Sequence, residues 1–294
     1  MDKYFRAVGF SQLQAGKQLD TLIQTSFRTC ETKYRTELNK GDISLDCFKY
    51  YGKGIGLGLS GKMNKNNSVV LQKCFPFAES KCRVAALNVE IEDINHDKLA
   101  LFYDKKNLNQ FVVKLQTSVL APREIKKLSV TALSAKGKIL LPLCVEKTHA
   151  AIKKQESKNL RKLIKRTCTG DPKAVKLLEE HIDKSSLAIK NRMHNEDFFS
   201  IVESYFQPND ESDFSYDLLA NIIDVETIVN SMTDEKLYSM TLDVTGTKIQ
   251  LYINHSDLIG IPTKGMRFWG VCALNGNVIN DGFLGNLKRI FSFK

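Results

Sequence analysis

The sequence predicts an α+β fold: an N-terminal, mainly antiparallel sheet with helices, a helical connector, and a small OB-like β-barrel at the C-terminal end. Three observations predict it. Apolar residues alternate with period 2 through much of residues 51–133, the period becomes helical between about residues 150 and 206, and short strands separated by turn residues follow. The expected divisions are 1–148 for the α+β domain, 149–208 for the helical segment and 209–294 for the barrel.

Phe5, Val8, Leu13, Leu19, Leu22, Ile23 and Phe27 recur at roughly helical spacing, which predicts a helical opening broken near Gly16. Ile55, Leu57 and Leu59 then alternate with glycines, as a strand does, and residues 65–67 read as a turn into a second strand over 68–77. Further strands are expected at 83–92, 110–115, 128–133 and 137–142, the last stopped by Pro142. Strand following strand favours antiparallel pairing.

The helical segment reads as three helices. The first covers Lys153 to Thr167 and ends at Gly170. Asp171 and Pro172 supply an N-cap and a first-turn proline for the second, which runs to about Lys190. The third is expected from Asn195 to Phe206, before Pro208. The last unit carries strand patterns at 218–229, 236–244, 248–253 and 266–279, with Thr245 to Thr247 as a tight hairpin turn. So many short strands in about 75 residues imply a closed barrel, OB-like by preference.

Charge is uneven. The chain carries 43 Lys and Arg against 33 Asp and Glu, a net +10. Residues 1–150 hold +10 of it, 151–210 hold +3, and 211–294 hold −3. Between Lys147 and Cys168 eight cations meet one acid, Glu156. Lys154, Lys158, Arg161, Lys162 and Lys165 share one helix face, opposite Leu160, Leu163, Ile164 and Thr167. Such a face can neutralise several phosphates or simply be solvated, as most charge runs are.

The N-terminal residues place charge where a signal peptide needs an apolar core. No apolar run approaches the roughly 20 residues of a membrane span. A cytoplasmic location without membrane span is expected, with the seven cysteines as reduced thiols.

The chain resembles an uncharacterised family of bacterial proteins known only as a domain of unknown function. The resemblance rests on Phe5-Arg-Ala-Val-Gly-Phe10, on Gly137-Lys-Ile-Leu-Leu-Pro142, and on Asn195 to Phe206 with Pro208. Asp257-Leu-Ile-Gly260 and Gly265-Met-Arg-Phe268 complete it. These stretches span nearly the whole chain, so the resemblance implies a shared architecture. It implies no activity.

No catalytic, cofactor or metal motif emerges. Gly56 to Gly61 matches G-x-G-x-x-G, but a turn and a strand follow it where a dinucleotide site needs a helix. The histidines, His96, His149, His181, His194 and His255, lie in different segments, and the acids Glu90, Glu92, Asp93 and Asp97 do not match a calcium loop. In the last unit Arg267 and Trp269 share a strand face and Tyr252 lies on a neighbouring strand. They read as a base-stacking platform, the alternative being that Trp269 packs on another domain. The favoured function is a non-enzymatic binding or adaptor protein with a basic surface for an anionic partner, nucleic acid first. The alternative is a protein-interaction or self-assembly module using the acidic barrel. A third is an enzyme whose groups meet only in the fold.

Overall fold

The computed structural model describes residues 2–13, 16–30, 32–37, 43–64, 68–94, 97–116, 125–143, 156, 159–160, 162–167, 169–210 and 214–279. It is a mixed α+β fold dominated by strands. The chain opens with a 3-10 helix, Lys3–Val8, rather than the expected α-helix. Asp2 caps it by accepting the Tyr4 N–H at 2.9 Å, and Gly9 ends it in the left-handed region at φ 86°. Helix α1, Lys17–Thr29, starts after Gly16, where φ is 106°.

Strands β1 (Thr32–Glu37), β2 (Ile43–Gly52), β3 (Ile55–Met63) and β4 (Val69–Ala78) form an antiparallel sheet in chain order. The Gly56 to Gly61 stretch lies inside β3. A Cβ on Gly58 would come within 2.3 Å of the Phe75 ring, so these glycines allow close packing across the sheet.

The second sheet has ten strands. Its first members are β5 (Arg83–Ile94), β6 (Asp97–Asp104), β7 (Gln110–Leu115) and β8 (Lys127–Leu140). The chain returns to it as β9 (Tyr205–Asp210), β10 (Ser215–Val229), β11 (Lys236–Val244), β12 (Thr247–Asn254), β13 (Leu258–Ile259) and β14 (Arg267–Val278). The strands expected at 128–133 and 137–142 are one strand, β8. The break read between them is a bulge at Ala135, which the β14 register skips, while the Ser134 hydroxyl donates to the Val271 carbonyl at 2.9 Å.

Two rings share the long β8–β14 ladder, which runs from Val278↔Leu128 to Arg267↔Leu140. One ring continues through β10, β11 and β12 back to β8. The other continues through β7, β6 and β5. The pairing is mostly antiparallel, with parallel contacts at β12–β8, β13–β8 and β14–β7. One continuous core fills the assembly, including Phe102, Phe111, Val130, Leu218, Leu242 and Phe268. Each such buried side chain contributes about 1.5–3 kcal/mol by leaving water.

A second core joins the two sheets through the N-terminal segment. Tyr4, Phe5, Val8 and Phe10 pack between Tyr51, Ile55 and Leu57 on one side and Leu133, Leu237, Tyr252 and Ala273 on the other.

The expected third helix is short. Only Phe198–Ile201 (α3) is helical, capped by Asp197 rather than Asn195, and Tyr205 onward enters β9. Pro208 is tolerated there because, among the described residues, β9 is an edge strand that pairs with β10 alone. Helix α2, Pro172–Arg192, follows the expected cap, with the Asp171 carboxylate accepting the Lys173 and Ala174 N–H groups. Among the described residues no helix is long and apolar enough to cross a membrane.

Candidate functional site

Of the five cations expected on the basic helix, Lys154, Lys158 and Arg161 lie outside the described residues. Residues 162–167 are helical, and Lys162 and Lys165 are exposed on them, while Leu160, Leu163, Ile164 and Thr167 are half-buried. Arg166 is committed locally: its guanidinium donates to Asp171 at 2.7 and 3.0 Å. Those bonds hold the Asp171 carboxyl below the usual carboxylate range.

The helical segment leaves the sheet at the end of β8 and re-enters it at β9. Arg267 holds the two ends together. Its Nε donates to the Leu141 carbonyl at 2.8 Å and an Nη to the Val202 carbonyl at 2.8 Å. The side chain is only 4% exposed, and burial pushes its pKa down. A buried guanidinium persists only when its N–H groups are satisfied, and here they clamp the base of a roughly 60-residue excursion. Trp269, two residues along the same face, donates to the Tyr205 hydroxyl at 2.9 Å and lies 3.1 Å from the Asp217 carboxylate, while Phe199 packs on it at 5.1 Å between ring centroids. Burial, helped by Asp217, pushes the Tyr205 phenol up to about 12. Tyr252 is not part of this group. It is buried in the inter-sheet core and donates to the Glu79 carbonyl at 2.7 Å.

A further group was not legible in the sequence. A cavity of about 470 Å³ opens between the two sheets, lined by Asp2, Lys3, Tyr4, Lys73, Phe75, Pro76, Lys114, Leu115, Gln116, Leu133, Ala273 and Asn275. Lys73 on β4 and Lys114 on β7 both bind Asp97 at the start of β6, the second at 2.9 Å. Burial alone would raise the Asp97 carboxyl, but the two lysine bonds outweigh it and hold its pKa below the ordinary value. The Gln116 Oε1 accepts from Asn277 at 2.8 Å, while the buried Gln116 Nε2 and Asn277 Oδ1 have no hydrogen-bond partner among the described residues. An unmade bond of that kind costs about 1–3 kcal/mol. Of these residues only Asp97 drew notice in the sequence, and then as one of four neighbouring acids. Its two lysine partners are distant in the chain and carry no motif.

Little else in the described residues suggests covalent chemistry. Cys74, Cys82 and Cys272 are free thiols. Burial pushes Cys74 up to about 12 and Cys272 higher, which suppresses the thiolate a nucleophile requires. No group of three or more His, Cys, Asp or Glu among the described residues is placed to hold a metal ion.

No curated protein and no solved structure matches the chain. A family model does match, over residues 5–276: the domain of unknown function DUF3881, whose description refers to E. rectale, in keeping with the bacterial resemblance read from the sequence. The match begins at Phe5 in the buried N-terminal plug and runs through the wall strand β14, taking in both sheets and the helical excursion, and the chain therefore belongs to the DUF3881 family.

Proposed function

We propose that the chain is a non-enzymatic binding protein whose helical segment, residues 149–208, presents a basic surface to a polyanion, nucleic acid being the first candidate. The observation that supports this most is the sidedness of residues 162–167: the cations Lys162 and Lys165 face water while the apolar residues between them are half-buried. Helix α2 exposes Lys173, Lys176, Lys184 and Lys190 together with Glu179, Glu180 and Asp183, and of its 21 residues only Ala174 is buried.

The pairing of the β8–β14–β10–β11–β12 ring supports an OB-type barrel written in permuted order. Three consecutive antiparallel strands, β10 to β12, are followed around the ring by one parallel contact and two antiparallel closures. On this reading the barrel borrows β8 from the N-terminal half. Its face around Leu237 and Tyr252 packs on the chain's own Lys3–Val8 segment. Polyanion binding is therefore assigned to the helical segment rather than to that face.

The test is charge reversal. In Lys162→Glu/Lys165→Glu, retention on single-stranded DNA weakens about tenfold or more at low salt, and the slope of log affinity against log salt falls by about one unit or more. Unchanged retention and slope in a folded double variant would remove the proposal.

A second reading, a self-assembly module, is favoured by one observation. Val175, Ile182, Ile189 and Met193 follow one another along one side of α2 and are 37%, 53%, 38% and 51% exposed. Light scattering across a salt series separates the two. A dimer that Ile182→Asp dissociates, with no retention on nucleic acid, supports assembly.

A further inference from the structure

Helix α2, Pro172–Arg192, is 21 residues long, about 31 Å, and only Ala174 on it is buried. A helix in water draws most of its stability from packing an amphipathic face. On α2 that face is open: Val175, Ile182, Ile189 and Met193 fall within about 40° of one another around the axis, and they are 37% to 53% exposed. We propose that this stripe is the contact surface of a homodimer, in which α2 packs antiparallel on α2 of a second copy of the chain. Such a dimer rests on the self-assembly reading above and adds to it the surface and the direction of pairing.

Spacing carries the direction. Val175, Ile182 and Ile189 stand seven residues apart, about 10 Å along the axis, and the levels between them carry Glu179 and Ser186. In an antiparallel pair with Met193 of one helix level with Val175 of the other, Ile189 falls level with Glu179 and Ile182 with Ser186. Each gap then receives a β-branched side chain from the second copy. Apolar residues follow one another along the seam every three or four positions, the spacing that knobs-into-holes packing needs. A parallel copy sets gap against gap and leaves them unfilled.

Charge gives the same direction. Glu179 and Lys190 are both exposed and lie together along one border of the stripe. A two-fold axis between antiparallel helices brings like borders together. In the same register Lys190 of one copy therefore lies within one residue of Glu179 of the other, and the symmetry makes the contact twice. The other border, Ala174, Leu178 and Ser185, is already buried or half-buried. Arg192, further along that border, is engaged by Glu196 at 2.5 and 2.8 Å. The acids Glu179, Glu180 and Asp183 on the same helix count against an anionic lipid surface as the occupant.

The full chain is measured by light scattering between about 1 and about 100 µM, with circular dichroism to check the fold of each variant. Wild type is expected to dimerise and Ile182→Asp to be monomeric. Glu179→Lys and Lys190→Glu each create two like-charge contacts, and each should weaken dimerisation about tenfold, a difference of about 1.4 kcal/mol. Mixing the two single variants should restore dimers of wild-type affinity, because each chain then supplies the charge the other needs. The double variant should recover on its own. All three positions are exposed, so the variants are expected to fold. Should Ile182→Asp not fold, the charge variants and their mixture decide. Wild type that stays monomeric at the highest concentration would overturn this dimer and the self-assembly reading together. A dimer that folded Ile182→Asp leaves intact, or single variants that mixing does not rescue, would overturn the α2 pairing and leave self-assembly through another surface standing.

Discussion

Asp97 shows how one side chain can serve two sheets. It starts β6 in the ring sheet, yet it is bound by Lys73 from the other sheet as well as by Lys114 from its own. Because its folded pKa lies below the ordinary 3.8, ionised Asp97 adds stability above that pH, and this stability is lost as pH falls through the depressed folded value. Asp97→Asn should therefore cost about 1–3 kcal/mol at neutral pH. It should also show a smaller drop in urea midpoint than wild type between about pH 5 and about pH 2. Parallel pH profiles for the two proteins would show that the bridge contributes nothing. Arg267 teaches a related lesson. Its strand position beside Trp269 was legible, and so was the option that Trp269 packs on another domain. That its guanidinium would bind carbonyls at both ends of a 60-residue excursion was not, because nothing in local sequence brings Leu141 and Val202 to one place.

The N-terminal 3-10 helix is the element on which the inter-sheet contact depends. Tyr4, Phe5, Ala7 and Val8 are all buried within six residues, a density that period-3.6 reading took for an amphipathic α-helix. The short helix is tighter because it is a plug, flanked by Gly9 and capped by Asp2, with core on more than one side. Phe5→Ala should cost about 3–5 kcal/mol in urea unfolding, with little change in m. A cost below about 1 kcal/mol would mean that the sheets hold together without the plug. Strands with local signals were legible almost to the residue. Lys236–Val244 follows its alternation, and Thr245 and Gly246, at φ 48° and 92°, form the expected tight turn. The short α3 was over-read because its aromatic run, Phe198 and Phe199, packs on Trp269 and Tyr205 rather than continuing a helix. Strand β6 was missed because, with Leu99 to Phe102 all apolar, it lacks the clean alternation that marks a half-buried strand.

At the scale of the molecule the decisive feature is the β8–β14 wall, in which residues 128–140 pair with residues 267–278 across nearly half of the chain. Pairing at that separation leaves no trace in composition or period, so the ladder that ties early and late strands into shared rings was not legible in the sequence. Leu133, Ala273 and Asn275 line the cavity, and the helical excursion departs from one end of the wall and is clamped by Arg267 at the other strand's start. If the rings are one cooperative body, native-state hydrogen exchange should find the amides of β8 and β14 among the slowest, with a common opening free energy equal to that of global unfolding. Strands β5 to β7 and β10 to β12 should approach the same limit in denaturant. Separate opening of the two strand groups, with β8 exchanging alongside one and β14 alongside the other, would contradict the shared wall.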